Sequence, residues 1–177
     1  EKMRIALPQV LTPELPNDVT VWPQLLDSFD AFAKFSVTEE DGKKITQYKQ
    51  RSAFVSERKQ VKSELEFLAS INLQPRTIPL ANETLARAEQ LCLKTNQFNL
   101  RTIRYASPEL IKIAGSPNYL TFLVGLKDRF GDHGIVALLI AKWKDEIAFL
   151  DTLLISCRVL GRHLDTWILY TMVEYLK

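Results

Sequence analysis

The pattern of apolar and polar positions divides the 177-residue chain into three stretches. It is most regular in residues 74–177. A short extended run, Gln74 to Leu80, precedes a helix that begins near Ala81-Asn82-Glu83 and places Leu85, Ala88, Leu91 and Cys92 on one face. Ser107-Pro108-Glu109 signals a second helix, with a capping residue and proline in the first turn, and Gly115-Ser116-Pro117 ends it. Tyr119 to Lys127 and Ile135 to Trp143 are rich in branched and aromatic residues, as strands are. The Asp128-Arg129-Phe130-Gly131-Asp132-His133-Gly134 stretch between them reads as a hairpin connection. A third strand, Ile147 to Ile155, runs into a last helix with Leu164, Trp167, Ile168, Thr171, Met172 and Tyr175 at helical spacing. The predicted order is strand, helix, helix, three strands, helix.

The first two stretches are less regular. Residues 1–37 read as a linker: four of the eight prolines fall before residue 24, and each removes a backbone donor and biases its predecessor toward extended conformations. The start at Glu1-Lys2-Met3-Arg4, without an initiator methionine, suggests a piece of a longer protein. Residues 38–73 read as one long helix, opened by Thr38-Glu39-Glu40-Asp41 as a cap. Ile45, Tyr48, Val55, Val61, Leu65, Leu68 and Ile71 give it an approximate apolar stripe. Arg51, Arg58 and Lys59 fall among the residues of a solvated face. A bridge between domains or a coiled-coil dimer would both use such a helix.

Composition narrows the function classes. At 46% hydrophobic and 25% charged the chain has material for one full domain and an appendage. No apolar run approaches the ~20 residues of a membrane span and no signal-peptide pattern opens the chain, so the expected location is cytoplasmic, with no membrane partner. Two cysteines and two histidines give neither a disulfide framework nor metal-ligand spacing. A net charge of +2 gives no argument for nucleic acid.

The element order matches the first two thirds of an acetyltransferase-like (GNAT) fold. That fold carries a phosphate-binding turn, a loose Arg/Gln-x-x-Gly-x-Gly/Ala pattern, between its fourth strand and the next helix. Arg158-Val159-Leu160-Gly161-Arg162-His163 matches at the arginine and the glycine and departs at His163. Backbone N–H groups at a helix start attract an anion, and glycine permits close approach. An ordinary turn with exposed arginines has the same pattern.

Three longer strings resemble the FkbH-like family: residues 94–105, Leu126-Lys127-Asp128-Arg129-Phe130-Gly131-Asp132-His133-Gly134, and residues 153–162. Glu1-Lys2-Met3-Arg4-Ile5-Ala6-Leu7-Pro8 with Pro13-Glu14-Leu15-Pro16 is similar to the end of that family's haloacid-dehalogenase-like (HAD) phosphatase half. The resemblance implies an α/β (α+β) fold. It implies the end of the HAD-like domain and a linker over 1–37, a bridging helix over 38–73, and a GNAT-like domain with a mixed, largely antiparallel sheet over 74–177, truncated at both ends. It implies loading of a glyceryl or related hydroxyacyl unit onto the phosphopantetheine thiol of an acyl carrier protein in polyketide-type biosynthesis. Catalytic magnesium would belong only to the missing phosphatase half. The alternatives are a non-catalytic carrier-docking module and a coenzyme A-dependent N-acetyltransferase.

Candidate roles follow. Cys157, beside Arg158 and a helix start, is a candidate acyl acceptor, or a small core residue. His133 with Asp132 is a candidate general base and orienting partner, or a turn with a solvated histidine. Arg158, Gly161 and Arg162 are candidates for the phosphate. Asn96, Gln97, Asn99, Arg101 and Arg104 form a polar patch suited to a hydroxyacyl group or pantetheine amides, although Asn99 alone also suits a loop cap. Arg129 is a candidate contact for the acidic face of a carrier protein.

Overall fold

The computed structural model describes residues 2–30, 42–99, 101–145 and 147–177, and in it each branched or aromatic run is a strand. β1 (Gln74–Ile78), β2 (Tyr119–Asp128), β3 (Gly131–Lys144) and β4 (Ile147–Ile155) form one antiparallel sheet in the order β1-β2-β3-β4. Pairing sets Phe122 opposite Leu139, Leu123 opposite Leu138 and Leu139 opposite Leu153. Side chains alternate across a strand, so Phe122, Val124 and Leu126 face one side and Leu123 the other. Both faces are apolar, so both need cover.

Two helical units supply it. On one face α5 (Asn82–Lys94) and α6 (Ser107–Ala114) bury Leu85, Ala88, Leu91, Cys92, Leu110 and Ile113 against Leu123, Leu138, Ile140 and Leu154. On the other, α7 (Leu164–Tyr175) sets Leu164 and Ile168 against Phe122, Val124, Leu139 and Leu153. The start of α6 is shifted from expectation. Ser107 is its first residue rather than its cap, Glu109 accepts the Ala106 N–H at 2.9 Å, and the Ser107 hydroxyl donates to Glu89 at 2.7 Å.

The long helix expected over 38–73 is instead two. The cap expected at residues 38–41 lies outside the described residues. α3 (Lys44–Arg58) ends before a short connector, and Ser63 starts α4 (Glu64–Ser70) by accepting the Glu66 N–H at 3.4 Å. The expected stripe is corrected too: Ile45, Tyr48 and Leu65 are exposed, and the buried side chains are Phe54, Phe67 and Ile71. Phe54 meets Phe67 with ring centroids 5.3 Å apart, and Phe130, at the β2–β3 turn, edge-on at 5.7 Å. The Arg129 N–H donates to the Ile71 carbonyl at 2.8 Å. α3 and α4 therefore belong to the same compact unit as the sheet, Lys43–Lys177, rather than standing as a separate bridge.

The other unit, Glu1–Gly42, has no buried residue among those described. Short helices α1 (Lys2–Ala6) and α2 (Trp22–Asp27) are held by local bonds: Arg4 pairs with Glu14 at 2.7 Å, and the Trp22 indole donates to the Pro16 carbonyl at 2.8 Å. Among the described residues, no helix is long and apolar enough to cross a membrane.

Phe54 carries the attachment of α3, so Phe54→Ala is expected to lower the unfolding free energy of the chain by about 3 kcal/mol, read as a lower denaturant midpoint at unchanged slope. Tyr48→Ala, on the exposed side of α3, is the control and should stay within about 0.5 kcal/mol of wild type. Equal effects of the two would contradict this packing.

Candidate functional site

Asp128 is the last residue of β2, and a two-residue tip, Arg129-Phe130, returns the chain to Gly131 at the start of β3. Gly131 has φ +142°, and the Gln50 side chain of α3 fills the place a Cβ would take. The connection is thus tighter than the seven-residue loop expected. Asp132, His133 and Gly134 lie within β3, not in a loop.

The Asp128 carboxylate is fully buried and has three neighbours. Its Oδ1 accepts the Phe130 N–H at 2.8 Å and lies 2.9 Å from His133 Nε2, off the line of a straight hydrogen bond. Its Oδ2 accepts from Arg162 Nε at 2.6 Å. Burial acts to raise its pKa, but the His133 and Arg162 contacts outweigh this and hold it at about 2. Arg162 is itself only 1% exposed, with its guanidinium carbon 3.9 Å above the Phe54 ring centroid. Burial lowers its pKa, the Asp128 charge opposes that, and nearby Arg51 adds to the lowering.

This arrangement corrects two expected roles. His133 takes Asp128, not Asp132, as its carboxylate partner. Asp132 instead accepts the Gly134 N–H at 2.8 Å and pairs with Lys127 at 3.2 Å. His133, 4% exposed, is built into the interior rather than solvated. Arg162 likewise faces inward, because a buried guanidinium requires a countercharge and Asp128 provides it. Its guanidinium is thus buried and paired rather than exposed at the surface.

The turn after β4 opens on a different set of cations. Arg51, Phe54, Val55, Arg58 and Lys59 from the α3 end face Leu160 and Gly161 across a cleft of about 460 Å³. Gly161 has φ +86°, and a Cβ there would stand 2.5 Å from Arg58 Nη1, so only glycine lets Arg58 lie against this turn. Arg51 donates to the Cys157 carbonyl, and Arg58 pairs with Glu64. Cys157 is exposed, which removes the core reading. It begins a 3-10 turn, Cys157–Val159, and α7 starts only at Leu164, so the expected α-helix start beside the thiol is absent. Arg158 is directed back to β3, where its Nη2 donates to the carbonyls of His133 at 2.8 Å and Ile135 at 3.2 Å. His163, where the motif prefers a small residue, caps α7 at φ +52°, a conformation glycine adopts without strain.

The polar patch after α5 is a network of its own. Asn99 pairs with Leu154 as an isolated bridge and its Oδ1 accepts the Thr102 N–H at 2.8 Å, the loop-closing role. Arg104 donates to the Leu93 carbonyl and to Asn96 Oδ1. Arg101 pairs with Asp151 of β4, which also accepts from the Tyr105 hydroxyl at 2.8 Å. Burial first and the Asp151 bond second raise the Tyr105 pKa. Gln97 is exposed. At the hairpin tip, Arg129 pairs with Glu57. Asn99 and Arg101 thus tie this loop to β4, Arg104 and Asn96 brace it internally, and none of the patch residues lines the cleft.

Sequence reasoning missed Asp128, Asp151, Tyr105 and the α3 cations. One signal was available: Arg51, Phe54, Val55 and Arg58 stand at i, i+3, i+4 and i+7, one face of a helix.

The Asp128 pKa yields a pH prediction. Its folded value of about 2 is below the ordinary 3.8, so its contribution, about 2 kcal/mol, is fully present above pH ~4 and is lost as pH falls through the folded value. Asp128→Asn should be destabilised at pH 7 and show a flatter acid limb between about pH 4 and pH 2 in thermal melts. Parallel acid limbs in wild type and variant would count against the buried pair.

No family model matches the chain, no curated protein matches it, and no solved structure matches it.

Proposed function

We propose that residues 43–177 are the acyl-transfer half of an FkbH-like enzyme with a GNAT-like fold, delivering a glyceryl or related hydroxyacyl group to the phosphopantetheine thiol of an acyl carrier protein. The observation that carries this reading is the basic cleft at the turn after β4, where Arg51, Arg58 and Lys59 converge on Gly161. Its volume is within the range of small-molecule sites, and its lining combines cations with the apolar Phe54, Val55 and Leu160, a suitable lining for a phosphate followed by an uncharged arm. The four-stranded antiparallel sheet with helices on both faces supports the GNAT-like part of the reading. Cys157 stands next to the cleft through its carbonyl bond to Arg51, and its exposed thiol is open to an acyl group.

One observation favours the second reading, a carrier-docking module without bond-making of its own. The histidine expected as a general base, His133, is buried against Asp128. Substitution separates the readings. In the full-length enzyme, Cys157→Ala that abolishes carrier loading, with an acyl mass increment seen only on wild type, supports covalent transfer. Full loading by Cys157→Ala supports docking alone.

The cleft itself is tested by calorimetric titration with 4′-phosphopantetheine at low salt. Arg51→Ala combined with Lys59→Ala is expected to weaken binding at least about tenfold, and added salt to weaken it further in wild type. Equal affinity in wild type and double variant would remove the cleft from the proposal.

A further inference from the structure

One of the cleft's cations, Arg58, already pairs with an anion of the protein's own, Glu64, which borders the cleft rather than lining it. Arg58 ends α3, and the short connector with the Ser63 cap brings the first residue of α4, Glu64, back toward it. Glu64 Oε1 pairs with Arg58 Nη2 and also lies 3.4 Å from His163 Nε2. A single carboxylate therefore spans from the α3 side of the cleft to the residue that caps α7. Arg58 pairs with Glu64 and lies over Gly161, where a Cβ would stand 2.5 Å from its Nη1. Lys59, in the same cleft, makes no ion pair among the described residues.

We propose that Glu64 is the resident counter-ion of this cleft: it holds Arg58 while the cleft is empty and gives it up to the phosphate group of a ligand. This rests on the anion-binding reading of the cleft and adds the residue that sets its affinity. The side chains of Arg58 and Glu64 are 42% and 45% exposed, so their pair is solvated, weak and open to exchange. A phosphate offers several acceptor oxygens and can meet Arg51, Arg58 and Lys59 together, whereas Glu64 meets only one of these three. Glu64 is thereby a competitor within the same chain, and its removal leaves Arg58 waiting for the ligand.

Calorimetric titration with 4′-phosphopantetheine and with inorganic phosphate, at low salt, tests this on wild type, Glu64→Gln, Arg58→Ala and the double variant. Glu64→Gln is expected to bind about fivefold more tightly than wild type, and the gain should vanish when Arg58→Ala is also present. Unchanged affinity in Glu64→Gln, with binding still weakened by Arg58→Ala, overturns the competitor role and leaves the cleft reading standing. A gain that persists without Arg58 also overturns it, since the effect would then come from net charge. Absence of binding in both wild type and Glu64→Gln overturns the cleft reading itself.

Discussion

The buried pair of Asp128 and Arg162 is the constraint on which this unit's arrangement depends. A guanidinium removed from water is costly unless a carboxylate meets it with good geometry, and the 2.6 Å contact, with the Phe54 ring 3.9 Å from the guanidinium carbon, supplies that compensation. The pair joins the end of β2 to the turn after β4, two places far apart in sequence. Through Phe54 it also fixes α3, whose Phe54 contacts Phe67 and Phe130. The cleft is a consequence: with α3 fixed there, Arg51, Arg58 and Lys59 have no choice but to face Gly161.

Interior charge and surface charge thus do different work within a few residues. Arg162 is committed to the fold, while Leu160 and Gly161 beside it line the cleft. Gly161 makes this division possible, since at φ +86° it reverses the chain between inward-facing Arg162 and the cleft without a side chain to displace Arg58.

The sheet and its helices were legible because apolar periodicity reports burial directly. Leu85, Ala88, Leu91 and Cys92 were read as one helical face and are the buried face of α5. The direction of charged side chains was not legible. Arg158, Gly161 and Arg162 read as one motif, yet Arg162 is buried and Arg158 is directed to β3, because nothing local to the turn reveals that Asp128 waits thirty-four residues upstream. The α3 stripe failed for a related reason. Phe54 and Phe67 sit on helices that a break at 59–63 reorients, so a single continuous periodicity placed Ile45 and Tyr48 inward and hid the face that matters.

The most direct measurement is hydrogen exchange on Arg162→Met. If the buried pair positions α3, amide protection across Lys44–Arg58 should collapse while β3 and α5 keep theirs, since those elements are held by the apolar clusters. Protection of α3 that survives the substitution, or that falls equally with β3 and α5, would contradict the account.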